Sequence, residues 1–232
     1  MLSRREESVA TGHRHPTDQR IKLGARRNGR LTAIELRCVA PVGAYGYASG
    51  IDGPARKLYL CPNVRTELYA VRTNTDPARA FRAPGYTEGM FALESAMDML
   101  AEKLGMDPLE LRLKNYADRD QMSGQQYSLK KLREAYEQAA QKIGWTSRAG
   151  GGTAGGGAAL ASRKRGIGMA SQIWGGGGGP PAYAGMKLNP DGSAELVLGT
   201  QDIGTGTRTG LAQVAAEGLG IPLEEIRVTL GD

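Results

Sequence analysis

Residues 150–159 read Gly-Gly-Gly-Thr-Ala-Gly-Gly-Gly-Ala-Ala and carry no side chain larger than threonine. Such a tract has almost nothing to bury, so no apolar gain offsets the entropy of ordering its backbone. It marks a boundary that a single continuous core cannot run through. The expected organisation is a first stretch over 1–148, a glycine-rich linker over 149–164 and a second stretch over 165–232. With 232 residues, 40% of them hydrophobic, the chain has material for one large or two ordinary domains.

In the first stretch the pattern alternates between strand and helix. Ile21 and Leu23, the turn pair Asn28-Gly29, then Leu31, Ile34, Leu36 and Val39 predict a β-hairpin over 20–39. Residues 43–50 are small and read as a loop. Val64 to Thr73 reads as a strand, and Asn74 to Gly85 as a polar, proline-bounded loop. Leu93, Met97, Leu100 and Leu104 share one face of a helix from about Thr87, with Thr87 as cap and Gly105 as terminator. Asp107-Pro-Leu-Glu110 opens a second helix with aspartate at the N-cap and proline at N1, and Ser128 to Ile143 reads as a third.

In the second stretch Gly166 to Trp174 reads as a strand. Tyr183 to Leu188, the turn Asn189-Pro-Asp-Gly192 and Ser193 to Leu198 read as another hairpin. The run Gly199-Thr-Gln-Asp-Ile-Gly-Thr-Gly-Thr-Arg-Thr-Gly210 follows, and leads into a helix over Arg208 to Gly220. Glycines at a strand-to-helix junction let backbone N–H groups approach an anion at the positive end of the helix. The run therefore reads as an anion cradle or as a plain left-handed turn. It matches neither familiar phosphate motif. Thr209 stands where a dinucleotide fingerprint needs its third glycine, and Thr205 where a P-loop needs lysine. A last strand, Arg227 to Leu230, stops with nothing to pair or cover it, and no evident strand opens the chain. A fragment of a longer protein is expected on that pattern.

Charge and ligand residues exclude several classes. The net charge is +6, but acids interleave with the bases, and the one basic cluster, Arg163-Lys164-Arg165, adjoins the linker. That distribution suits a solvated segment better than a nucleic-acid surface. Cys38 and Cys61 lack C-x-x-C partners and read as small buried residues, not as zinc, iron–sulfur or disulfide positions. His13 and His15 form an H-x-H pair with no third ligand nearby, which favours a structural or hydrogen-bonding role over a metal site. No apolar run approaches the length of a membrane span, and the N-terminus has no apolar signal segment.

Five segments together resemble the molybdopterin-binding large subunit of the xanthine dehydrogenase and aldehyde oxidase family, the molybdenum hydroxylases. They are Thr11-Gly-His-Arg-His-Pro16 with the hairpin carrying Gly29-Arg-Leu-Thr-Ala-Ile-Glu35, Ala80-Phe-Arg-Ala-Pro-Gly85 with Ala92-Leu-Glu-Ser-Ala-Met-Asp98, Asp107-Pro-Leu-Glu-Leu-Arg-Leu-Lys-Asn115, Arg165-Gly-Ile-Gly168, and Gly199-Thr-Gln-Asp-Ile-Gly-Thr-Gly206. Their order and spacing cover nearly the whole chain, and the variants are closest to the bacterial aldehyde or isoquinoline oxidoreductase branch. The resemblance implies an α+β fold of mixed sheets and helices, with parts of two molybdopterin-binding domains and the cofactor between them. It implies hydroxylation of a carbon in an aldehyde or electron-poor N-heterocycle with oxygen drawn from water. Electrons would leave through 2Fe-2S clusters on a partner subunit. A FAD subunit is a further partner the family allows, and the cytoplasm is the expected compartment, with a partner's export signal as the route to the periplasm.

Residue by residue, the resemblance places Arg82 beside the molybdenum centre, where a fixed cation can hydrogen-bond the pterin or stabilise developing negative charge. The other reading of Arg82 is a salt bridge that holds its loop. Phe81 would pack behind it. Pro84 falls where many relatives have an aromatic substrate contact. Ile203, Gly204, Thr205 and Gly206 match the segment that touches the cofactor, with threonine where many relatives have glutamine, and Gln201 and Asp202 are nearby polar candidates. Trp174 falls where the family often has an aromatic against a planar substrate, or it is a core tryptophan. The family's catalytic glutamate lies in a later motif that this chain does not contain, so the chain alone is expected to be inactive. Glu35, Glu88, Glu94 and Glu217 are read as ordinary solvated or paired carboxylates. Two rival functions are a nucleotide-binding module built on the 199–210 turn, with an acidic ribose ligand near Asp232, and a non-catalytic assembly subunit.

Overall fold

The structure is a computed structural model in which residues 2–14, 16–127, 129–146, 166–174 and 182–231 are described. The chain divides into two compact units, Met1–Trp174 and Gly175–Asp232. The expected linker over 149–164, together with His15, Ser128 and Asp232, lies outside the described residues.

In the first unit, Asn28-Gly29 turns the chain as expected, with Gly29 at φ 85°. Strand β1 (Asp18–Ala25) pairs antiparallel with β2 (Leu31–Pro41), from Asp18↔Val39 to Ala25↔Leu31. Period-two alternation sends Ile34, Leu36, Cys38 and Ala40 inward and Glu35 and Arg37 outward. Strand β3 (Val64–Val71) lies parallel to β2, so the link between them is a crossover, and it carries α2 (Gly53–Lys57). The inner sheet face is covered by α3 (Tyr86–Leu104), whose Met90, Leu93, Met97 and Ala101 are buried. These join Leu31, Ile34, Leu36, Leu58, Tyr59 and Leu111 in the main core, with Leu100 and Leu104 packed at its margin.

Two short helices complete this layer. Asp107 caps α4 (Pro108–Lys114), accepting from the N–H groups of Leu109 at 2.8 Å and Glu110 at 3.1 Å. Helix α5 is shorter than the sequence predicts, Leu132–Ile143. The cap of α3 also differs from expectation. Gly85, not Thr87, is the N-cap, because a φ of 77° there brings the Tyr86 N–H to the Ala83 carbonyl and starts the helix a turn's edge earlier. A further helix, α1 (Arg4–Ala10), adds to the elements the sequence predicts. It is closed by a capping box in which Ser3 N–H donates to Glu6 at 2.7 Å and Glu6 N–H to the Ser3 hydroxyl at 3.3 Å.

A buried polar centre ties these helices together. Arg112 is fully buried, donating from Nε to Glu94 Oε2 at 3.0 Å and from a terminal nitrogen to Asp98 Oδ1 at 2.8 Å. Tyr59 donates its hydroxyl proton to Glu94 Oε1 at 2.5 Å. Burial alone would pull the Arg112 guanidinium down, but Tyr59, Glu94 and Asp98 outweigh it and hold the group firmly charged. The same Glu94 carboxylate accepts the Ser171 N–H at 2.7 Å. That bond explains a corrected expectation. Residues 166–174 form no strand, because the Ser171 donor is spent on a side chain and not on a sheet neighbour, while Ile173 packs on the main core.

In the second unit β4 (Ala184–Leu188) and β5 (Ala194–Leu198) form the predicted hairpin, with Gly192 at φ 88° in its turn. Helix α6 (Thr207–Leu219) and a 3-10 turn, Leu223–Glu225, then return the chain to β6 (Ile226–Leu230). The last strand is not unpaired as the sequence suggests: β6 runs parallel to β5, from Ala194↔Ile226 to Leu198↔Leu230. Leu196, Ala215 and Val228 make its small core. Each unit thus follows one plan, a hairpin, a crossover, and a third strand parallel to the second.

Candidate cofactor-facing loops

Loops beyond the carboxyl ends of parallel strands are the usual ligand positions of such sheets. In the first unit β2 and β3 open there into residues 42–52 and 72–85, and the two loops are locked together. Gly43 N–H donates to the Thr73 hydroxyl at 3.2 Å. A Cβ on Gly85 would come within 2.9 Å of Ile51 N, so no larger residue fits. Next to it Ala83 holds φ at 53°, the one positive value at a non-glycine position among the described residues. Backbone strain of this kind is found mostly at functional sites and ligand clamps.

Arg82 sits on this loop and is exposed. Its carbonyl accepts from Arg14 at 2.8 Å, while its guanidinium has no salt-bridge or hydrogen-bond partner among the described residues. The loop is held by Arg14 instead, which also reaches Glu88 at 3.4 Å and lies 4.6 Å over the Phe81 ring. Phe81 therefore packs under Arg14 and not behind Arg82. Pro84 is half-buried beside the strained alanine. Trp174 meets Tyr86, the first residue of α3, edge-on with ring centroids 4.9 Å apart, and stays 55% exposed, so it is no core tryptophan. Arg82, Pro84 and Trp174 are thus gathered around the start of α3. Buried polar atoms nearby, Ser49 Oγ, Gln19 Oε1 and Glu88 Oε1, have no partner among the described residues.

In the second unit the 202–206 turn sits between β5 and α6. Ile203 is 85% exposed, and Gly204 and Gly206 take φ values of 90° and 75°. The Thr205 hydroxyl lies 2.8 Å from that of Thr207. The backbone donors are not open as an anion cradle would need. Asp202 accepts the N–H groups of Gly204 at 2.9 Å, Thr205 at 3.0 Å and Gly206 at 3.3 Å on one oxygen, and that of Arg208 at 3.3 Å on the other. Those bonds, Arg208 first, hold its carboxyl below the usual aspartate range.

The remaining sequence candidates fall into structural roles. The His13 carbonyl accepts the Arg79 N–H at 3.0 Å, and its partner in the H-x-H pair is outside the described residues. Among the described residues no group of three or more potential ligands could hold a metal ion. Cys38 and Cys61 are buried free thiols. Burial, then the charges of Asp52, Asp18 and Glu88, pushes Cys38 up to about 11. Glu35 pairs with Lys22, Glu88 with Arg14 and Glu94 with Arg112. No helix among the described residues is long and apolar enough to cross a membrane.

Two family models, each described as a molybdopterin cofactor-binding domain, match residues 1–116 and 125–232. The chain belongs to this family, which includes the molybdenum-binding subunits of aldehyde oxidoreductases and xanthine dehydrogenases. It is 35% identical over 234 residues to the aldehyde oxidoreductase molybdenum-binding subunit PaoC of Escherichia coli O157:H7, a match covering 100% of the chain and 31% of that protein. It is 31% identical over 241 residues to the xanthine dehydrogenase molybdenum-binding subunit of the same organism, covering 98% of the chain and 31% of that protein. Among solved structures it is similar to the aldehyde oxidoreductase from Desulfovibrio gigas, with a TM-score of 0.77 and 33% identity over 94% of this chain and 25% of that one. The chain thus spans between a quarter and a third of the length of these relatives.

The loops fit the family's cofactor. Arg82 offers an uncommitted set of N–H donors to pterin acceptors or to anionic oxygens. Around Gly204 and Gly206 no atom lies within 4 Å of where a Cβ would stand, so a ligand can approach the backbone there. The nucleotide-binding alternative is not favoured, since the turn's amides are already taken by Asp202 and both halves match molybdopterin-binding domains.

Proposed function

We propose that this chain forms part of the cofactor-binding region of a molybdenum-dependent oxidoreductase. The enzyme would hydroxylate a carbon of an aldehyde or N-heterocycle with oxygen drawn from water. When bound, the molybdenum cofactor supplies the redox chemistry, and the protein supplies position and electrostatics. Arg82 holds acceptor atoms of the pterin and opposes negative charge that builds up in the transition state. The locked loop leaves little to reorganise. Ile203, Gly204, Thr205 and Gly206 form a second contact to the cofactor, with the Thr205 hydroxyl as donor or acceptor. Trp174, steadied edge-on by Tyr86, and Pro84 line the approach of a planar substrate. Electrons would leave to 2Fe-2S clusters on a partner subunit, with a FAD subunit as a further partner, and the enzyme would work in the cytoplasm or the periplasm. The division into 1–148, a linker over 149–164 and 165–232 belongs to the same proposal.

The observation that carries this reading is the exposed Arg82 guanidinium, unpartnered among the described residues, on a strained loop. Its test is Arg82→Ala in the complete enzyme with its partner subunits. Turnover should fall by about 10²- to 10³-fold, the usual cost of losing one preorganised charge-stabilising donor. Molybdenum content and melting temperature should stay close to wild type. Wild-type turnover in a molybdenum-loaded variant would remove Arg82 from the site.

A further inference from the structure

An open helix N-terminus presents its first N–H groups to a ligand. At the head of α6 the corresponding donors converge on a group of the chain itself. Gly204, Thr205 and Gly206 donate to Asp202 Oδ1 at 2.9, 3.0 and 3.3 Å, and Arg208 donates to Oδ2 at 3.3 Å. Two left-handed glycines make this convergence sterically free, and the carboxylate sits at the positive end of a 13-residue helix. The geometry is that of an amide nest closed around an anion. The groups left outward are the Ile203 side chain and the paired hydroxyls of Thr205 and Thr207.

We infer that Asp202 is a built-in anion that sets the shape of the 203–206 loop before any cofactor arrives and closes its amides to phosphate groups. Asp202 is a positioning residue, acting through the backbone of Gly204, Thr205 and Gly206. The loop then meets the cofactor through Thr205 and Ile203, and a phosphate on the cofactor is held elsewhere. Only this last step rests on the molybdopterin reading. The closed nest stands without it.

The test uses the 232-residue chain. Backbone amides of Gly204, Thr205, Gly206 and Arg208 are followed by 15N NMR, both for hydrogen exchange and during titration with millimolar inorganic phosphate. In wild type the four amides should be protected and unmoved by phosphate. In Asp202→Ala their protection should fall at least about tenfold, as expected when hydrogen-bonded acceptors are removed, and phosphate should now shift them. Asp202→Asn keeps an acceptor oxygen and should recover most of the protection, a rescue that general loosening of the fold would not produce. Equal phosphate shifts in wild type and Asp202→Ala, or unchanged protection in Asp202→Ala, would overturn the inference. Should Asp202→Ala fail to fold, phosphate shifts in the wild-type amides still decide it. Failure of the complete enzyme to hold molybdopterin would overturn the functional reading and leave this one standing.

Discussion

Glu94 shows how much one side chain can carry. Its carboxylate satisfies Tyr59, Arg112 and Ser171 at once, in a region from which water is excluded. Removing it would strand a buried hydroxyl and an amide, and would leave the buried guanidinium with Asp98 as its remaining carboxylate partner. Leaving one partner of a buried ion pair uncompensated costs about 3–5 kcal/mol. With Asp98 still in place, Glu94→Ala should lower the stability of the first unit by up to that much, read from the urea midpoint. A loss below about 1 kcal/mol, the range of exposed pairs, would mean that water reaches Arg112. Asp202 gives a different signature, because it is exposed and its carboxyl is held low. A carboxylate with a depressed value stabilises fully at neutral pH and stops doing so as pH falls through that value. Order in the 202–206 turn should persist down to the ordinary aspartate range near about pH 4 and fade below it. Amide exchange as a function of pH reads this directly, and loss already near neutrality would contradict the capping geometry.

Among the elements, helix α3 follows directly on the 72–85 loop of the first unit, and its glycine tests the packing. An alanine Cβ at Gly89 would lie 1.9 Å from the Ile51 carbonyl oxygen. Alanine gains about 1 kcal/mol over glycine in helix propensity, but overpacking against fixed backbone costs about 1–3 kcal/mol. The clash should win, so Gly89→Ala should destabilise. The same exchange at Gly210 in α6, where no atom lies within 4 Å, should stabilise by up to about 1 kcal/mol. Thermal melts of both variants check the pair, and stabilisation in both would show that propensity alone governs these helices.

For the molecule as a whole, one topological plan is used twice with unequal cores. The first unit buries Ile34, Leu36, Leu58, Leu93, Met97, Ala101 and Leu111 in a single cluster, whereas the second has Leu196, Ala215 and Val228. Small units bury a lower fraction of their surface and are correspondingly marginal. Amides in β5, α6 and β6 should therefore exchange faster than those in β2 and α3. Equal protection in both sets would show that the second unit draws stability from beyond its own core.

Local chemistry is enough for most of the elements. The alternation of β2, the Asn28-Gly29 turn, the Asp107 cap and the left-handed Gly105 each depend on residues a few positions apart, and each stands in the structure as its residues predict. The capping box of α1 is equally local, since Ser3 and Glu6 stand at its spacing and carry the signal for that helix. Arg82 and the 203–206 run are legible as motifs, because their residues are contiguous. Long-range pairing is not. No pattern around 166–174 shows that Ser171 will satisfy Glu94, nor that β6 will find β5, nor that Trp174 will lean on Tyr86. Those contacts join residues far apart in the chain. They exist because buried donors, acceptors and strand edges must find partners in the folded molecule, and only three-dimensional packing chooses which.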